Sequence, residues 1–267
     1  MRLFNRDFQL NTLPRRLGDF AKAAVNIFVT FRNPMVVLWH YARSTNPPEG
    51  LVTTRSGYRI TFSGHKHDLI SAVVVFCKQD YGRVKPGSVY LDIGANIGLF
   101  AIYAASEGAR TGYAYEANQQ AFDCMVHNIE CNGLIADIHP YHLAVTDRSG
   151  DYVSFPVNPS PYNRIRKPSI EAPSTENLGI EVQTISLDEI VNRTGGHVDL
   201  MKMDIEGAEY LVIPAAQLST LLCIDEIRME YHTGPLEALC ECLQEAGFQI
   251  VRKKAEQRDC GIIWFRR

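Results

Sequence analysis

The spacing of hydrophobic and polar positions changes near residue 50, and this change divides the chain into two parts. Before residue 50 apolar residues recur every three or four positions, as in an amphipathic helix; they are Leu13, Leu17, Phe20, Ala24, Phe28 and Phe31. Asn33 and Pro34 then resemble an N-cap followed by proline at the first helical position, which predicts a second helix. Residues 46–50, with two prolines and a glycine, have the composition of a linker. We therefore predict a helical N-terminal extension and linker over residues 1–50 and one domain over residues 51–267.

Beyond the linker, short apolar runs alternate with helical patterns. Strands are predicted at residues 57–62, 88–93, 111–116, 137–145, 181–185, 198–204 and 223–232, and a closing hairpin at 248–252 and 261–265. Helices are predicted at 69–79, 97–107, 119–132, 187–193, 208–217 and 235–246. Strands joined by helical segments of this length imply crossover connections and a parallel sheet covered on both faces. The predicted fold class is α/β, doubly wound, with a long loop at 156–177.

Composition limits the classes of protein to which the chain can belong. Its 267 residues are 46% hydrophobic and 21% charged, which is typical of a globular protein and not of a disordered, collagen-like or coiled-coil chain. With 27 Lys and Arg against 30 Asp and Glu, it lacks the basic excess of most proteins that grip nucleic acid, and we predict no nucleic-acid partner. The charge is uneven, because residues 1–43 carry seven basic and two acidic residues.

The basic N-terminal segment leaves two interpretations open. Its apolar runs are interrupted at Arg32, Asn33 and Pro34, so that no transmembrane helix is predicted. No signal peptide is predicted either, because the first apolar run begins deep in the chain and no cleavage site of small residues follows it. The helices either pack their apolar faces on the main domain or lie, through residues 1–43, on an anionic membrane surface. The seven cysteines have irregular spacing, which predicts reduced thiols and a cytoplasmic location rather than a disulfide framework.

The most informative segment joins the predicted strand at 88–93 to the helix after it. Its pattern is Asp92-x-Gly94-x-Asn96-x-Gly98, which lacks the glycines of a dinucleotide-binding turn and the lysine of a P-loop. Asp92 would repel a pyrophosphate but suits a ligand with an ammonium or sulfonium charge. Glu116 ends the next strand, 24 residues later, where a carboxylate can accept both hydroxyls of a ribose. A cationic, ribose-bearing ligand without phosphates describes S-adenosylmethionine.

Five sequence blocks in order resemble the FkbM-type methyltransferases. They are LDIGANIGLF at 91–100, YAYEAN at 113–118, HLAVTDRSG at 142–150, SLDE at 186–189 and VDLMKMDIEGAE at 198–209. The resemblance runs from about Gly57 to His232, and the pairs Asp68-Leu69 and Asp80-Tyr81 are also in the style of the family. It implies a class I S-adenosylmethionine enzyme, with a mostly parallel seven-stranded sheet whose last strand is antiparallel.

The resemblance also implies which residues bind the cofactor. Asp92 would reach its amino group, Glu116 would hold the ribose, and the loop would line the methionine end, while the residues after the third strand would border the adenine. The implied set is Asp92, Gly94, Ala95, Asn96, Gly98, Glu116, Ala117, Ala144 and Val145. The family often has proline after the acidic residue of the second strand, where this chain has Ala117.

Candidate catalytic residues follow the next two strands. Asp204 and Glu206 lie where one strand ends, and Glu230 and His232 end its neighbour two positions apart, on one face. Methylation of a hydroxyl requires a base near the oxygen, and histidine titrates near neutral pH. Other interpretations stay open: Asp204 could hold the cofactor, Glu206 could favour the positive end of the next helix, and His232 could be structural. The four residues could also bind a divalent cation. Their spacing matches no metal motif, so that no metal is predicted.

The acceptor is the least constrained part of the prediction. In the loop at 156–177, Tyr162, Arg164, Arg166 and Lys167 could form a lid or meet an anionic acceptor. We predict an S-adenosylmethionine-dependent O-methyltransferase acting on a sugar hydroxyl of a glycan or glycolipid. The alternatives are a hydroxyl of a polyketide or other small molecule, and a degenerate methyltransferase fold that only binds. The glycine pattern disfavours a nicotinamide dehydrogenase.

Overall fold

The computed structural model of the protein describes residues 13–156, 179–255 and 259–267. Its helices are α1 Leu13–Thr30, α2 Pro34–Arg43, α3 Asp68–Val73, α4 Leu99–Ser106, α5 Gln119–Cys131, α6 Leu187–Arg193, α7 Glu209–Ala215, α8 Leu218–Leu221 and α9 Leu236–Glu245. Its strands are β1 Leu51–Thr53, β2 Arg59–Thr61, β3 Val89–Ile93, β4 Thr111–Glu116, β5 Ile138–His142, β6 Ala144–Thr146, β7 Tyr152–Pro156, β8 Gly179–Ser186, β9 Leu200–Met203, β10 Glu226–Tyr231, β11 Gln249–Ala255 and β12 Gly261–Arg266. A π-helical turn, Val74–Lys78, directly follows α3.

The main sheet has seven strands in the order β11-β12-β10-β9-β3-β4-β5. Neighbouring strands are parallel except at β12, which runs antiparallel to both β10 and β11. All five residues of β3 and all four of β9 are buried, as expected where helices cover both faces of a parallel sheet. The predicted α/β fold, with its antiparallel last strand, is confirmed.

Alternating side chains of the strands divide the interior into two cores. Tyr90 of β3 packs with residues of α1 to α5, whereas Leu91 and Ile93 pack on the other face with residues of α6, α7 and α9. Because the loops after β3, β4, β9 and β10 all leave the same edge of this sheet, side chains from distant parts of the sequence can meet there.

The N-terminal helices belong to the first of these cores. Buried side chains recur four residues apart, at Ala23 and Ile27 of α1, at Phe31 directly after that helix, and at Val37 and Tyr41 of α2. Asn26 Nδ2 donates to the carbonyl of Cys77, 2.6 Å away, which joins α1 to the π-helical turn. One side of the predicted helical extension therefore packs on the domain, while the boundary at residue 50 stays a prediction. No helix among the described residues is long and apolar enough to cross a membrane.

The prediction of one strand over residues 137–145 was wrong. Strand β5 ends at His142, opposite Glu116, because β4 ends there and offers no further partner. The chain then enters β6, where Ala144 pairs with Thr184 of β8. Together with β7, these strands form a second sheet of three strands, in the order β6-β8-β7. The residues expected beside the adenine therefore stand on this second sheet.

Three smaller differences concern element ends. The predicted strand at 57–62 is β2, and it pairs with β1, which the sequence did not reveal. The helix predicted at 69–79 changes to π-helical geometry at Val74. The helix predicted at 208–217 ends at Ala215, directly after Pro214, and α8 follows separately. The candidate acceptor residues Tyr162, Arg164, Arg166 and Lys167 lie outside the described residues.

Candidate active site

The loop between β3 and α4 has an unusual backbone. Gly94, Asn96 and Gly98 have φ angles of 75°, 51° and 80°, in the left-handed region that glycine tolerates best and asparagine better than most residues. Gly98 is the N-cap residue of α4. The alternation of these conformations turns the chain sharply after the buried strand, so that backbone rather than side chains lines this part of the edge.

The same loop lies directly against the end of β9. A Cβ atom on Gly94 would lie 1.8 Å from the carbonyl oxygen of Asp204, so that this position admits no side chain. The backbone N–H groups of Gly94 and Ala95 both donate to the carbonyl of Tyr115, at 3.0 and 2.9 Å. The loop is thus held between β4 and Asp204, which is the first of the candidate catalytic residues.

Glu116 is held at this edge by backbone donors. Its Oε2 accepts a hydrogen bond from the N–H of Asn96 and its Oε1 one from the N–H of Asn118, both at 2.7 Å. Burial raises the pKa of the Glu116 carboxyl, and the two backbone donors oppose that rise. The carboxylate is therefore fixed beside the loop, where the ribose contact was predicted.

Asp92 lies beneath the loop and forms a buried ion pair. Its side chain is fully buried, and its Oδ1 lies 3.1 Å from Nζ of Lys202, the residue opposite it on β9. Lys202 Nζ also donates to the carbonyl of Gly94 at 2.6 Å. Burial raises the pKa of Asp92, and Lys202 counteracts this effect. Contact of Asp92 with a cofactor amino group stays a prediction, since in this structure its nearest charged partner is Lys202.

The residues predicted beside the adenine lie on the second sheet. Ala144 and Val145 are buried in β6, and Ala117 packs against Ala144. The carbonyl of Ala117 is 3.0 Å from Nε2 of His142. The structure brings these residues to the ends of β4 and β5, while their contact with an adenine stays a prediction.

Across the edge, two carboxylates share one buried hydroxyl. The hydroxyl of Tyr81 lies 3.1 Å from Asp204 Oδ2 and 3.2 Å from Glu230 Oε2. A single O–H can donate to only one acceptor at a time, so that the carboxylates compete for it. Burial and both carboxylates raise the pKa of Tyr81 well above its usual value, which keeps the hydroxyl a neutral donor. Arg228 holds the carbonyl of Tyr81, and Phe100 packs edge-on against its ring.

The other two candidate catalytic residues, Glu206 and His232, meet a further carboxylate, that of Glu209. His232 Nδ1 lies 3.0 Å from Oε1 of the fully buried Glu209, and its Nε2 lies 3.3 Å from Glu206 Oε2. Burial lowers the pKa of His232, but the bond to Glu209 and the charges of Glu206 and Asp204 outweigh it and raise the pKa to about 9. The ring is therefore protonated at neutral pH. This arrangement favours a positioning role for His232 over proton abstraction.

Glu209 also fixes the loop that carries Glu206. Its Oε2 accepts from the N–H of Gly207 at 2.8 Å, and its Oε1 accepts from the N–H of His232 at 2.9 Å. Glu206 itself has a φ angle of 54°, which is uncommon for a residue with a Cβ atom. The buried Glu209 thus joins the turns after β9 and β10.

Comparison with known sequences identifies the protein family. The chain matches the Methyltransferase FkbM domain over residues 92–250, more than half of its length. The chain belongs to the FkbM methyltransferase family. No match was found among curated proteins.

Three solved structures illustrate what this chain is similar to. TrmK of M. capricolum with S-adenosyl-homocysteine is 12% identical over 71% of this chain and 66% of that chain, with a TM-score of 0.45. Streptococcus pneumoniae Sp1610 with S-adenosyl-L-methionine is 16% identical over 71% and 70%, with a TM-score of 0.46. The ribosomal protein L11 methylase of Lactobacillus delbrueckii subsp. bulgaricus is 18% identical over 75% and 80%, with a TM-score of 0.44. As a member of its family, this enzyme uses S-adenosylmethionine as methyl donor.

The charges around the loop fit this cationic cofactor. Three carboxylates lie around the loop, those of Asp92, Glu116 and Asp204. One buried cation, Lys202, pairs with Asp92. Apart from the ion pair with Lys202, neither buried oxygen of Asp92 accepts a hydrogen bond of ordinary geometry from a described side chain, so that the carboxylate keeps acceptor capacity. Together with the left-handed turn at Gly94, this set suits a ligand with sulfonium and ammonium charges and no phosphate.

Two features of the site were not predicted from the sequence: the position of Tyr81, and a group of side chains arranged as in a metal site. Tyr81 is 123 and 149 positions from its two partners, and the family-like pair Asp80-Tyr81 was the sole signal for it. Ligand-capable atoms of Asp204, Glu206 and His232 also lie within 4.8 Å of one another, as in a metal site, although their spacing in the sequence predicted no metal. The four predicted catalytic residues do meet at one edge of the sheet, and their catalytic roles stay predictions.

Proposed function

We propose that the enzyme transfers the methyl group to a hydroxyl oxygen, on a sugar of a glycan or glycolipid. The observation that carries the proposal is the contact between the cofactor loop and the carboxylate cluster. The backbone of Asp204 touches Gly94, while its side chain, through the hydroxyl of Tyr81, is linked to Glu230. An acceptor bound at this cluster would have carboxylates beside its reacting oxygen and the methyl donor next to it.

The chemistry assigns different tasks to these side chains. S-adenosylmethionine supplies an electrophilic methyl carbon on a sulfonium leaving group, so that much of the rate enhancement can come from alignment. The acceptor oxygen forms the new C–O bond as the C–S bond breaks, and its proton must pass to a base within hydrogen-bond reach. We assign that base to Asp204 or Glu230, the two carboxylates that share Tyr81. Glu206 and the protonated His232 would position the acceptor.

Electrostatics support a neutral, hydroxyl-rich acceptor. The described cluster contains four carboxylates and one charged histidine, and residues 44–267 together carry the acidic excess of the chain. Carboxylates accept hydrogen bonds from sugar hydroxyls but repel phosphates, which argues against nucleic acid as the acceptor. A polyketide hydroxyl is the competing acceptor within the same chemistry.

Cofactor binding is the first test. Titration calorimetry should show that the folded protein binds S-adenosylmethionine and S-adenosylhomocysteine. A folded protein that binds neither at millimolar concentration would overturn the proposal. Glu116→Ala and Asp92→Ala should abolish binding, and a biological function that survives both substitutions would instead support a non-catalytic binding module.

The acceptor is tested by transfer of a labelled methyl group. Glycans, glycolipids, macrolides and total RNA are offered separately, and the labelled product is located by mass spectrometry. Label on a sugar oxygen supports the proposal, whereas label on RNA or on a macrolide contradicts it. The same assay with EDTA, followed by added Mg²⁺, tests the cluster of Asp204, Glu206 and His232 as a metal site, and we expect no loss of activity on chelation.

The proposed location is the cytoplasm. All seven cysteines are free thiols, as expected in a reducing compartment. Fractionation of cells should recover the protein in the cytosol or on the cytoplasmic face of a membrane; recovery from an oxidising compartment would contradict this.

A further inference from the structure

The outward sides of α1 and α2 carry large apolar side chains that contact no core. Val25 and Val29 of α1 are 67% and 65% exposed, and Met35 and Trp39 of α2 are 66% and 61% exposed. Exposure above one half at four apolar positions on two helices that pack on each other is unusual for a surface that meets only water. We call these four residues the head surface.

The register of both helices explains this exposure. In α1 the buried residues Ala23 and Ile27 are offset by two positions from Val25 and Val29, so that the two pairs lie on opposite sides of the helix. Val37 and Tyr41 of α2 are likewise buried, and they are offset by two positions from Met35 and Trp39. Each helix therefore has two apolar sides, of which the domain covers one.

The residues beside the head surface are basic. Lys22 lies three positions before Val25 on α1. Arg32 stands between the two helices, two residues after the end of α1, and both side chains are exposed. Arg43 follows Trp39 by one turn, and its guanidinium lies 5.0 Å from the centre of the indole ring. Asp19 is the single acidic residue in α1 and α2. Apolar side chains surrounded by basic ones, with a tryptophan among them, match the chemistry of an anionic bilayer surface.

A second copy of the chain fits this surface less well. In a symmetric dimer the same patch faces itself, which would bring Lys22, Arg32 and Arg43 of one chain close to their counterparts. Opposed like charges destabilise such a contact, whereas anionic headgroups attract the same residues. We propose that the head surface docks the enzyme on an anionic bilayer, with α1 and α2 lying in the interface and the other side of each helix anchored in the domain. This proposal does not depend on the methyl acceptor.

Vesicle flotation of the full chain tests the proposal. The protein should float with vesicles of phosphatidylglycerol and phosphatidylcholine, remain at the bottom with phosphatidylcholine alone, and lose binding as salt is raised. The double variant Met35→Ser with Trp39→Ser should reduce binding at least tenfold, as should the triple variant Lys22→Gln, Arg32→Gln and Arg43→Gln. The matched control is Leu218→Ser on α8, which removes a side chain that is 57% exposed elsewhere and should float like the wild type.

Tryptophan fluorescence supplies a second readout. The chain has two tryptophans, and the emission of the exposed Trp39 should shift to shorter wavelength when anionic vesicles are added. Trp39→Phe should abolish that shift. Circular dichroism confirms that each variant is folded. Failure to float, equal flotation with neutral vesicles, or a concentration-dependent dimer that the Met35 and Trp39 variant abolishes would each overturn the proposal.

Discussion

The two sides of the proposed active site are built in different ways. On the cofactor side, backbone conformation makes the shape: Gly94, Asn96 and Gly98 turn the loop, and backbone N–H groups fix Glu116. On the acceptor side, side chains from separate segments make it. Tyr81 meets Asp204 and Glu230, while His232 lies between two glutamates.

This difference explains why the sequence blocks of the family indicate the cofactor but do not indicate the acceptor. A cofactor shared by a whole family can be bound by a short, local motif, whose sequence pattern is restricted by backbone geometry. An acceptor is selected by side chains that reach the same edge from independent loops, and these can change without disturbing the turn. Substitutions on the cofactor side should therefore abolish or weaken cofactor binding. Substitutions on the acceptor side should reduce turnover and leave cofactor binding unchanged.

The largest effect is expected from Gly94→Ala. The added Cβ would lie 1.8 Å from the carbonyl of Asp204 at a φ of 75°, so that the loop must move away from β9. Calorimetry should then detect no cofactor binding, and methyl transfer should be abolished. Gly133→Ala is the matched control, because Gly133 also has a positive φ, of 68°, but its Cβ would have no neighbour within 4 Å. It should cost stability of about 1 kcal/mol and leave cofactor affinity unchanged.

A smaller loss, again on the cofactor side, is expected from Glu116→Gln. An amide has one acceptor oxygen, so that the N–H of Asn96 or of Asn118 would face an NH₂ group and remain unpaired. The cost of one unpaired donor together with a weaker ribose contact predicts about a 100-fold rise in the Kd of S-adenosylhomocysteine. Glu107→Gln, which alters a surface pair with Arg83, is the control and should not change this Kd. Equal affinity of wild type and Glu116→Gln would exclude Glu116 as a cofactor ligand.

The sequence predicted most of what local pattern determines. Buried strands such as β3 and the order of strands and helices follow from apolar runs and their spacing, and the meeting of Asp204, Glu206, Glu230 and His232 follows from adjacent parallel strands that end at one edge. The break after His142 could not be predicted, because it depends on where the partner strand β4 ends. Tyr81 was missed for the same reason: its role arises from tertiary contacts more than 100 positions away.

On the acceptor side, Tyr81→Phe should reduce turnover while leaving the cofactor in place. Removal of a hydroxyl that donates to Asp204 or Glu230 leaves the ring packed on Phe100, so that kcat should fall about tenfold at neutral pH with little change in cofactor Kd. Without this donor the ionised form of the base is less stable, and the acid limb of the pH-rate profile should move to higher pH.

Tyr103→Phe is the matched control for that variant. Tyr103 also packs on Phe100 and is buried, and its hydroxyl has no hydrogen-bond partner among the described residues. It should keep both kcat and the pH profile of the wild type. If Tyr81→Phe lowers activity without moving the acid limb, then the hydroxyl acts on packing alone and does not tune a base.

The smallest expected effect is on the stability of the fold, to which the charged His232 of the acceptor side contributes in a pH-dependent way. His232 has its pKa raised to about 9, above its ordinary value of 6.5, because Glu209 and Glu206 favour the charged ring despite burial. A raised histidine pKa stabilises the fold fully below pH 6.5, and this contribution is lost as pH rises through about 9. Thermal unfolding between these values should show Tm falling by a few degrees in the wild type and less in His232→Gln. Parallel curves would show that the histidine is not held charged between its glutamates, and proton abstraction by His232 would again become the favoured mechanism. Because other groups of the chain also titrate in this window, the difference between wild type and His232→Gln is the quantity that reports on the acceptor side.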